Sequence, residues 1–83
     1  MNLGAITAKI QPINRVLRPG TLYKHYKGNI YKINMVAKHT ETNEDLVIYH
    51  MIDKPEQIWA RPLFMFNESV IVDSKMVLRF TSV

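Results

Sequence analysis

Residues 20–66 decide the fold of this chain, and they read GTLYKHYKGNIYKINMVAKHTETNEDLVIYHMIDKPEQIWARPLFMF. Polar and apolar residues alternate in the stretches that begin at Leu22 and Ile30, and a third stretch, from Asp45, is rich in β-branched residues and tyrosine. Such patterns are typical of β-strands. Gly28 lies between the first two stretches and indicates a tight turn. The sequence therefore predicts short strands joined by hairpin turns.

The rest of the chain continues this pattern. The predicted strands span residues 22–27, 30–39, 45–52, 58–61, 69–72 and 76–80. Because proline suits the first position of a helix, Pro62 predicts one helical turn that ends at Phe66. Many short strands at close spacing favour a mostly β domain. We expect a single small curled sheet or an SH3-like barrel of five to six short strands with one helical turn.

A lead-in of residues 1–19 precedes the β domain of residues 20–83. Its apolar residues follow a helical spacing, and they are Leu3, Ile6, Ile10, Ile13 and Leu17. Pro12 interrupts this stripe, so the lead-in is expected to be a short helix or an extended arm. Pro19-Gly20 is a turn signal that opens the β domain. The apolar stripe would also suit a homodimer contact.

Length and composition bound the class of protein. Eighty-three residues make one domain at most. The chain has no cysteine, so it has neither disulfides nor thiolate metal sites. The first residues lack the basic and apolar regions of a secretory signal, and no apolar run approaches the length of a membrane span. These features predict a soluble, cytoplasmic protein without a membrane partner.

The net charge of +4 is unevenly distributed. Residues 1–38 contain seven basic and no acidic side chains, whereas residues 39–83 contain four basic and seven acidic ones. The first part therefore carries +7 and the second −3. This asymmetry suggests a basic face for nucleic acid or another polyanion. The alternative is that the two parts neutralise each other in the folded domain.

The alternation assigns side chains to two faces of the sheet. Pairing around Gly28 places His25 opposite Tyr31, and the next hairpin places Met35 opposite Tyr49. The predicted core face holds Tyr23, His25, Tyr31, Ile33, Met35, Ala37, His39, Val47, Tyr49 and Met51. The predicted wet face holds Lys24, Tyr26, Lys32, Asn34, Lys38, Ile48 and His50. The remaining aromatic residues are expected to fill the core, and they are Trp59, Phe64, Phe66 and Phe80.

Five segments of residues 19–80 together resemble a bacterial family known as domain of unknown function 1653. They are PGTLYKHYKG, AKHTET, LVIYH, IWARPLFMF and VLRF. Leu22 is an extra residue before Tyr23, and Thr40 stands where the family usually has serine. The resemblance implies no established activity. It marks as family-motif polar positions His25, Lys27, His39, Glu41, Thr42, Tyr49, Arg61 and Arg79.

One set of polar residues is a candidate ligand site, and it comprises His25, His39, Glu41, Thr42, Tyr49 and Arg61. The guanidinium of Arg61 can bind an anion through two parallel hydrogen bonds. The carboxylate of Glu41 could orient a histidine ring. We expect His25, His39, Glu41 and Arg61 to lie in one neighbourhood because the hairpins bring their strands together. The alternative is a structural network, in which Glu41 caps the loop and pairs with Arg61 while Thr42 makes a local turn bond.

A second set is a candidate nucleic-acid site, and it comprises Lys24, Tyr26, Lys27, Lys32 and Lys38. Basic side chains around an aromatic ring can bind phosphates while a base stacks on the ring. The alternative is a solvated strand face whose lysines discourage aggregation.

Three function classes remain open from these residues. The first is a binding module for nucleic acid or another polyanion, and the second is a small-molecule-binding or catalytic domain. The third is a structural adaptor with a protein partner. No nucleophile stands beside a base in the sequence, so enzymatic activity is the weaker expectation. The spacings of His25, His39 and His50 match no metal motif, and neither a metal nor a cofactor is predicted.

Overall fold

A computed structural model describes residues 15–83, so the predictions for residues 1–14 lie outside the described part of the chain. The described residues form seven strands and one short helix. The elements are β1 (Leu22–His25), β2 (Ile30–Lys38), β3 (Asp45–Met51), β4 (Ile58–Pro62), α1 (Leu63–Phe66), β5 (Ser69–Val72), β6 (Lys75–Leu78) and β7 (Phe80–Ser82). The mostly β fold with one helical turn after Pro62 is confirmed.

The strands form two antiparallel sheets. The larger has the order β4-β3-β2-β1-β7, and the smaller is the hairpin of β5 and β6. Consecutive strands β1 to β4 are neighbours, as hairpin connections require. Strand β7 returns to pair with β1 and forms the edge of the larger sheet opposite to β4.

The β1–β2 hairpin keeps the predicted faces but not the predicted partners. Gly28 has a φ of 114°, a backbone conformation that residues with a Cβ rarely adopt. The turn pairs Tyr31 with Tyr23 and not with His25, which is a shift of two residues from the predicted register. A shift of two residues preserves the alternation, so Tyr23, Tyr31 and Ile33 still share one face. We call this the inner face of the sheet and the opposite one the outer face.

A β-bulge at Asn34 changes the second half of β2. Ile33 pairs with Tyr49, but Met35 pairs with Ile48, so Asn34 is an extra residue in the ladder. One extra residue exchanges the two faces of the strand beyond it. Met35 therefore lies on the outer face, with 51% of its surface exposed. The prediction of Met35 in the core is wrong for this reason.

The core lies on the inner face and is largely aromatic. Its buried members are Leu17, Tyr23, Ile33, Val47, Tyr49, Phe66 and Phe80. The rings of Phe66 and Phe80 stack in parallel with centroids 3.9 Å apart, and both lie edge-on to Tyr49. Burial of such rings supplies most of the stability available to so small a domain.

Arg15 fastens the start of the described chain to this core. Its Nε donates to the Asn67 side-chain oxygen at 2.8 Å, and one terminal nitrogen donates to the Phe80 carbonyl at 2.8 Å. Its guanidinium carbon lies 4.7 Å from the centre of the Tyr23 ring. Burial of this guanidinium lowers its pKa from the ordinary value. Leu17 is also buried in the core, so Arg15 and Leu17 both pack on the β domain.

The last predicted strand is divided in the structure. Strand β6 ends at Leu78, and β7 begins at Phe80. Between them, the Arg79 backbone N–H donates to the Glu68 carbonyl, and the Arg79 carbonyl accepts from the Tyr26 N–H. The first bond continues the β5–β6 register by one residue pair, and the second continues the β1–β7 register, so Arg79 links the two sheets.

Two aromatic residues that were expected in the core are exposed. Trp59 is 50% exposed and Phe64 is 55% exposed, whereas Phe66 and Phe80 are buried as predicted. The prediction for Trp59 and Phe64 is wrong because β4 is an edge strand and α1 has only one turn. Trp59 therefore has a neighbouring strand on one side only.

Candidate functional site

A small cavity opens on the inner face, at the edge of the sheet that β4 forms. Tyr31, Tyr49, Trp59 and Arg61 line it, and its volume is about 210 Å³. We call it the aromatic pocket. Tyr31 comes from β2, Tyr49 comes from β3, and Trp59 and Arg61 come from β4. Trp59 pairs with Tyr49 across the ladder, and the Tyr31 and Tyr49 rings lie 5.4 Å apart.

Arg61 brings a positive charge into this pocket. Its Nε donates to the Tyr49 hydroxyl at 3.1 Å, and its guanidinium carbon lies 5.8 Å from the Phe80 ring centre. Within residues 15–83, no carboxylate lies within ion-pair distance of Arg61, and its terminal nitrogens make no hydrogen bond. The guanidinium is thus oriented by Tyr49 while its fork of donors stays available to an acceptor.

His25 lies next to the aromatic pocket and is surrounded by cations. Its ring is 6.3 Å from Tyr31 and 5.0 Å from Phe80, and its Nδ1 accepts a hydrogen bond from the Lys27 N–H at 3.2 Å. The pKa of His25 is lowered, first by partial burial and then by the charges of Arg61, Arg79 and Lys27. The described part of this region therefore favours anions.

Among the three cations near His25, Arg79 is partly neutralised by an ion pair. One of its terminal nitrogens donates to the Glu68 carboxylate at 2.8 Å, while its buried Nε has no hydrogen-bond partner among the described residues. The ion pair holds the segment between β6 and β7 against the segment after α1. Arg79 therefore has a structural role and adds only part of its charge to the pocket.

The predicted ligand-site residues do not form one neighbourhood. His25, Tyr49 and Arg61 lie together at the aromatic pocket, but His39 and Glu41 lie in the β2–β3 loop. His39 is at the far end of β2 from the β1–β2 turn, and that nine-residue strand is on the order of 25 Å long. The predicted grouping of His25 and Arg61 with His39 and Glu41 is therefore wrong.

The β2–β3 loop uses its polar residues to bond itself. His39 Nδ1 accepts from the backbone N–H groups of Glu41 and Thr42, at 3.1 and 3.3 Å. A nitrogen that accepts these bonds carries no proton, so the approach of the Glu41 carboxylate at 3.6 Å is not an ion pair. Thr42 accepts from the Glu44 N–H, as the structural reading expected of a local turn bond.

The predicted basic face is split by the bulge at Asn34. Lys24 and Lys32 are exposed on the outer face, but Lys38 pairs with Asp45 on the inner-face side of the ladder, with the two charged groups 2.8 Å apart. The expectation that Lys38 shares a face with Lys24 and Lys32 is therefore wrong. Tyr26 and Lys27 lie in the β1–β2 turn, with the ammonium 5.8 Å from the ring centre.

A larger cavity, of about 510 Å³, lies between the β5–β6 hairpin and the β1–β7 edge. Val72, Val77 and Leu78 supply much of its apolar lining, and Lys24, Lys75 and Asp73 supply charges of both signs. Because Asp73 offsets part of the charge of Lys24 and Lys75 and no guanidinium lines the cavity, it offers less selectivity for an anion than the aromatic pocket.

Tyr49 and Arg61 were predicted as site residues, but Tyr31 and Trp59 were not. The signal was the spacing Trp59-x-Arg61 in a predicted strand, because residues two apart share a face. The sequence did not show that β4 is an edge strand, and this position leaves Trp59 exposed to solvent.

Residues 15–83 contain neither a metal-ligand cluster nor a membrane-spanning helix. No group of three histidine, aspartate or glutamate side chains is placed to hold a metal ion. Likewise, this part of the chain contains no helix with the length and apolar character needed to cross a membrane.

The fold and the pocket define a small, mostly β domain with an arginine among aromatic side chains at one sheet edge. The chain belongs to the family described as Protein of unknown function (DUF1653), whose sequence model matches residues 21–82. This match confirms the resemblance drawn from the sequence segments. Searches of the curated proteins and of the solved structures find no match to this chain.

Proposed function

We propose that this domain is a non-enzymatic binding module that holds an anionic ligand with a flat ring in the aromatic pocket. The observation that carries the proposal is Arg61, which is fixed by Tyr49 and has no carboxylate partner among the described residues. A guanidinium held in this way can bind a carboxylate or phosphate through two parallel hydrogen bonds.

The aromatic walls set the second requirement for the ligand. Trp59, Tyr31 and Tyr49 resemble the cages that bind quaternary ammonium groups. Arg61 and the neighbouring cations repel such a group, so the rings here serve to stack a flat surface. A cavity of about 210 Å³ is below the usual size of drug-sized sites and suits a single ring system, with the rest of the ligand outside.

The four lining residues argue for binding rather than catalysis. They provide π-faces, hydroxyl groups and a guanidinium but no carboxylate and no activated nucleophile. Three expectations from the sequence are also part of the proposal. They are an SH3-like barrel, a bacterial source and a cytoplasmic location.

Trp59 provides a direct test because it is the single tryptophan of the chain. Its fluorescence is to be titrated with adenosine monophosphate, benzoate, inorganic phosphate and uncharged adenosine. We expect saturable quenching by a ring-bearing anion, weaker quenching by adenosine, and loss of quenching in Arg61→Gln. Arg18→Gln, which changes an exposed arginine outside the pocket, is the control. Equal quenching by wild type and Arg61→Gln, or quenching by none of the anions, would overturn the proposal.

The outer face is a second candidate, for nucleic acid binding. Lys24 and Lys32 are exposed on it and have no acidic partner among the described residues. If the outer face is the nucleic-acid surface, Lys32→Glu weakens binding of a labelled single-stranded RNA, and Lys38→Glu, on the other face, does not. Equal effects of the two substitutions would remove this candidate.

A further inference from the structure

Aromatic rings continue from the aromatic pocket to the β1–β2 turn. The Tyr26 and His25 ring centres are 4.5 Å apart, those of His25 and Tyr31 are 6.3 Å apart, and those of Tyr31 and Tyr49 are 5.4 Å apart. Trp59 lies beside Tyr49 in the ladder. We call the set of Tyr26, His25, Tyr31 and Trp59 the aromatic track.

Both ends of the track are open to solvent. Tyr26 is 38% exposed and Trp59 is 50% exposed, while Tyr49 lies buried beneath the track. A ring that only fills the core has no need of this exposure. The two end rings can therefore stack on groups of a ligand that is longer than the aromatic pocket.

Cations accompany the rings along the track. The Lys27 ammonium is 5.8 Å from the Tyr26 ring centre, and Arg61 lies at the Trp59 end. The charges of Arg61, Arg79 and Lys27 all contribute to the lowered pKa of His25. The middle of the aromatic track, where His25 lies, is therefore surrounded by positive charge. A ligand matched to this surface alternates flat rings with negative charges.

We infer that the anionic ligand is a single-stranded nucleic acid whose bases stack along the aromatic track while its phosphates contact Arg61 and Lys27. The inference rests on the proposed function and extends the ligand beyond the aromatic pocket. Single strands present base faces to aromatic side chains, whereas duplexes hide them. The inferred contacts are the rings of the aromatic track with Arg61 and Lys27, rather than the outer-face lysines Lys24 and Lys32.

Fluorescence anisotropy with labelled oligouridylate and oligothymidylate of about six nucleotides tests this inference. Trp59 quenching by uridine monophosphate is measured in parallel. We expect the oligonucleotide to bind at least tenfold more tightly than the mononucleotide. Tyr26→Ala should weaken oligonucleotide binding about tenfold, because one base loses its stacking partner. It should leave mononucleotide binding unchanged, because Tyr26 lies outside the pocket.

Matched substitutions separate the inference from the proposed function. Arg61→Gln should weaken both ligands, and Lys27→Gln should weaken only the oligonucleotide. Each should also reduce the magnitude of the slope of log affinity against log salt by about 0.7, the value for one phosphate contact to a single strand. Lys32→Gln is the control on the outer face and should change affinity less than twofold. Tyr26→Leu, which keeps an apolar contact with His25, guards against a folding defect in Tyr26→Ala.

Each outcome has a distinct meaning. If the oligonucleotide binds no better than the mononucleotide, or if Tyr26→Ala, Tyr26→Leu and Lys27→Gln all leave its affinity unchanged, the inference is overturned while the proposed function stands. If Arg61→Gln changes neither affinity, both are overturned. If Lys32→Gln weakens oligonucleotide binding more than Tyr26→Ala does, the outer face is the nucleic-acid surface and the inference is wrong.

Discussion

Arg61 and Tyr49 are joined across two neighbouring strands by a hydrogen bond of 3.1 Å from the arginine Nε to the tyrosine hydroxyl. Tyr49 is 5% exposed and contacts both Phe66 and Phe80, so its hydroxyl is held by the core. Arg61 is thereby oriented by a rigid partner. The core therefore positions the guanidinium of the proposed anion site.

Removal of the Tyr49 hydroxyl is the first prediction. Tyr49→Phe should destabilise the domain by about 1 kcal/mol, which is the scale of one hydrogen bond. It should also weaken binding of a ring-bearing anion several-fold, because Arg61 loses its orientation. Thermal unfolding and Trp59 quenching measure the two effects. Tyr31→Phe is the control, since the Tyr31 hydroxyl makes no hydrogen bond to the described residues; equal losses in both variants would contradict the prediction.

The second prediction concerns two aromatic residues with different roles. Phe66 is fully buried, so Phe66→Ala should cost about 3–5 kcal/mol and leave the domain largely unfolded. Trp59 is half exposed, so Trp59→Ala should cost only about 1–2 kcal/mol. Circular dichroism and denaturant unfolding give the comparison. A Trp59→Ala variant that unfolds like Phe66→Ala would show that Trp59 belongs to the core rather than to the pocket.

The strands were predictable because local alternation and turn residues determine them. Gly28 marked the first hairpin, and Pro62 marked the helical turn. The bulge at Asn34 was not predictable, because His50, whose side chain bonds to that of Asn34, lies 16 residues further along the chain. In the structure the His50 and Asn34 side chains are joined by a hydrogen bond of 2.6 Å. This one irregularity moved Met35 out of the core.

The site was predictable only in part, for a similar reason. Tyr49 and Arg61 were found because their residue types carry chemistry. Which residues join them depends on strand order and sheet curvature, and these come from long-range packing. The return of β7 to β1 brings Phe80 between His25 and Arg61, and no local pattern in residues 76–83 indicates that return.

The β5–β6 turn gives the third prediction. Asp73 and Ser74 have φ values of 50° and 65°, so both are in the left-handed region. This geometry suits a two-residue hairpin turn in which glycine is preferred. Ser74→Gly should stabilise the domain by about 0.5–1 kcal/mol, the relief of left-handed strain less the entropy that glycine loses on folding.

Thermal unfolding checks the third prediction, with an expected rise of about 3–6 °C for a domain of this size. Ser69→Gly, at the first residue of strand β5, is the matched control and should lower the melting temperature, since glycine is a poor strand former. The same sign of shift in both variants would contradict the prediction.

The fourth prediction is a dependence of stability on pH through His25. The pKa of His25 in the folded domain lies below its ordinary value of 6.5, so below pH 6.5 the unfolded chain binds more protons than the folded one. The stabilising contribution is therefore complete above pH 6.5 and decreases as the pH falls through the folded pKa. The melting temperature of wild type should fall more between pH 7.5 and pH 5.5 than that of His25→Asn.

Anion binding should show the opposite dependence on pH. A phosphodiester bound beside Arg61 favours protonated His25, so its affinity should increase as the pH falls below 6.5. Phosphodiesters keep one charge per linkage through this range, and the change therefore belongs to the protein. Oligonucleotide anisotropy at pH 7.5 and pH 5.5 measures it, and His50→Asn, which removes a histidine from the outer face, is the control. If wild type and His25→Asn gain affinity equally on acidification, His25 has no part in anion binding, and the positive charge at the pocket comes from the arginines and Lys27 alone.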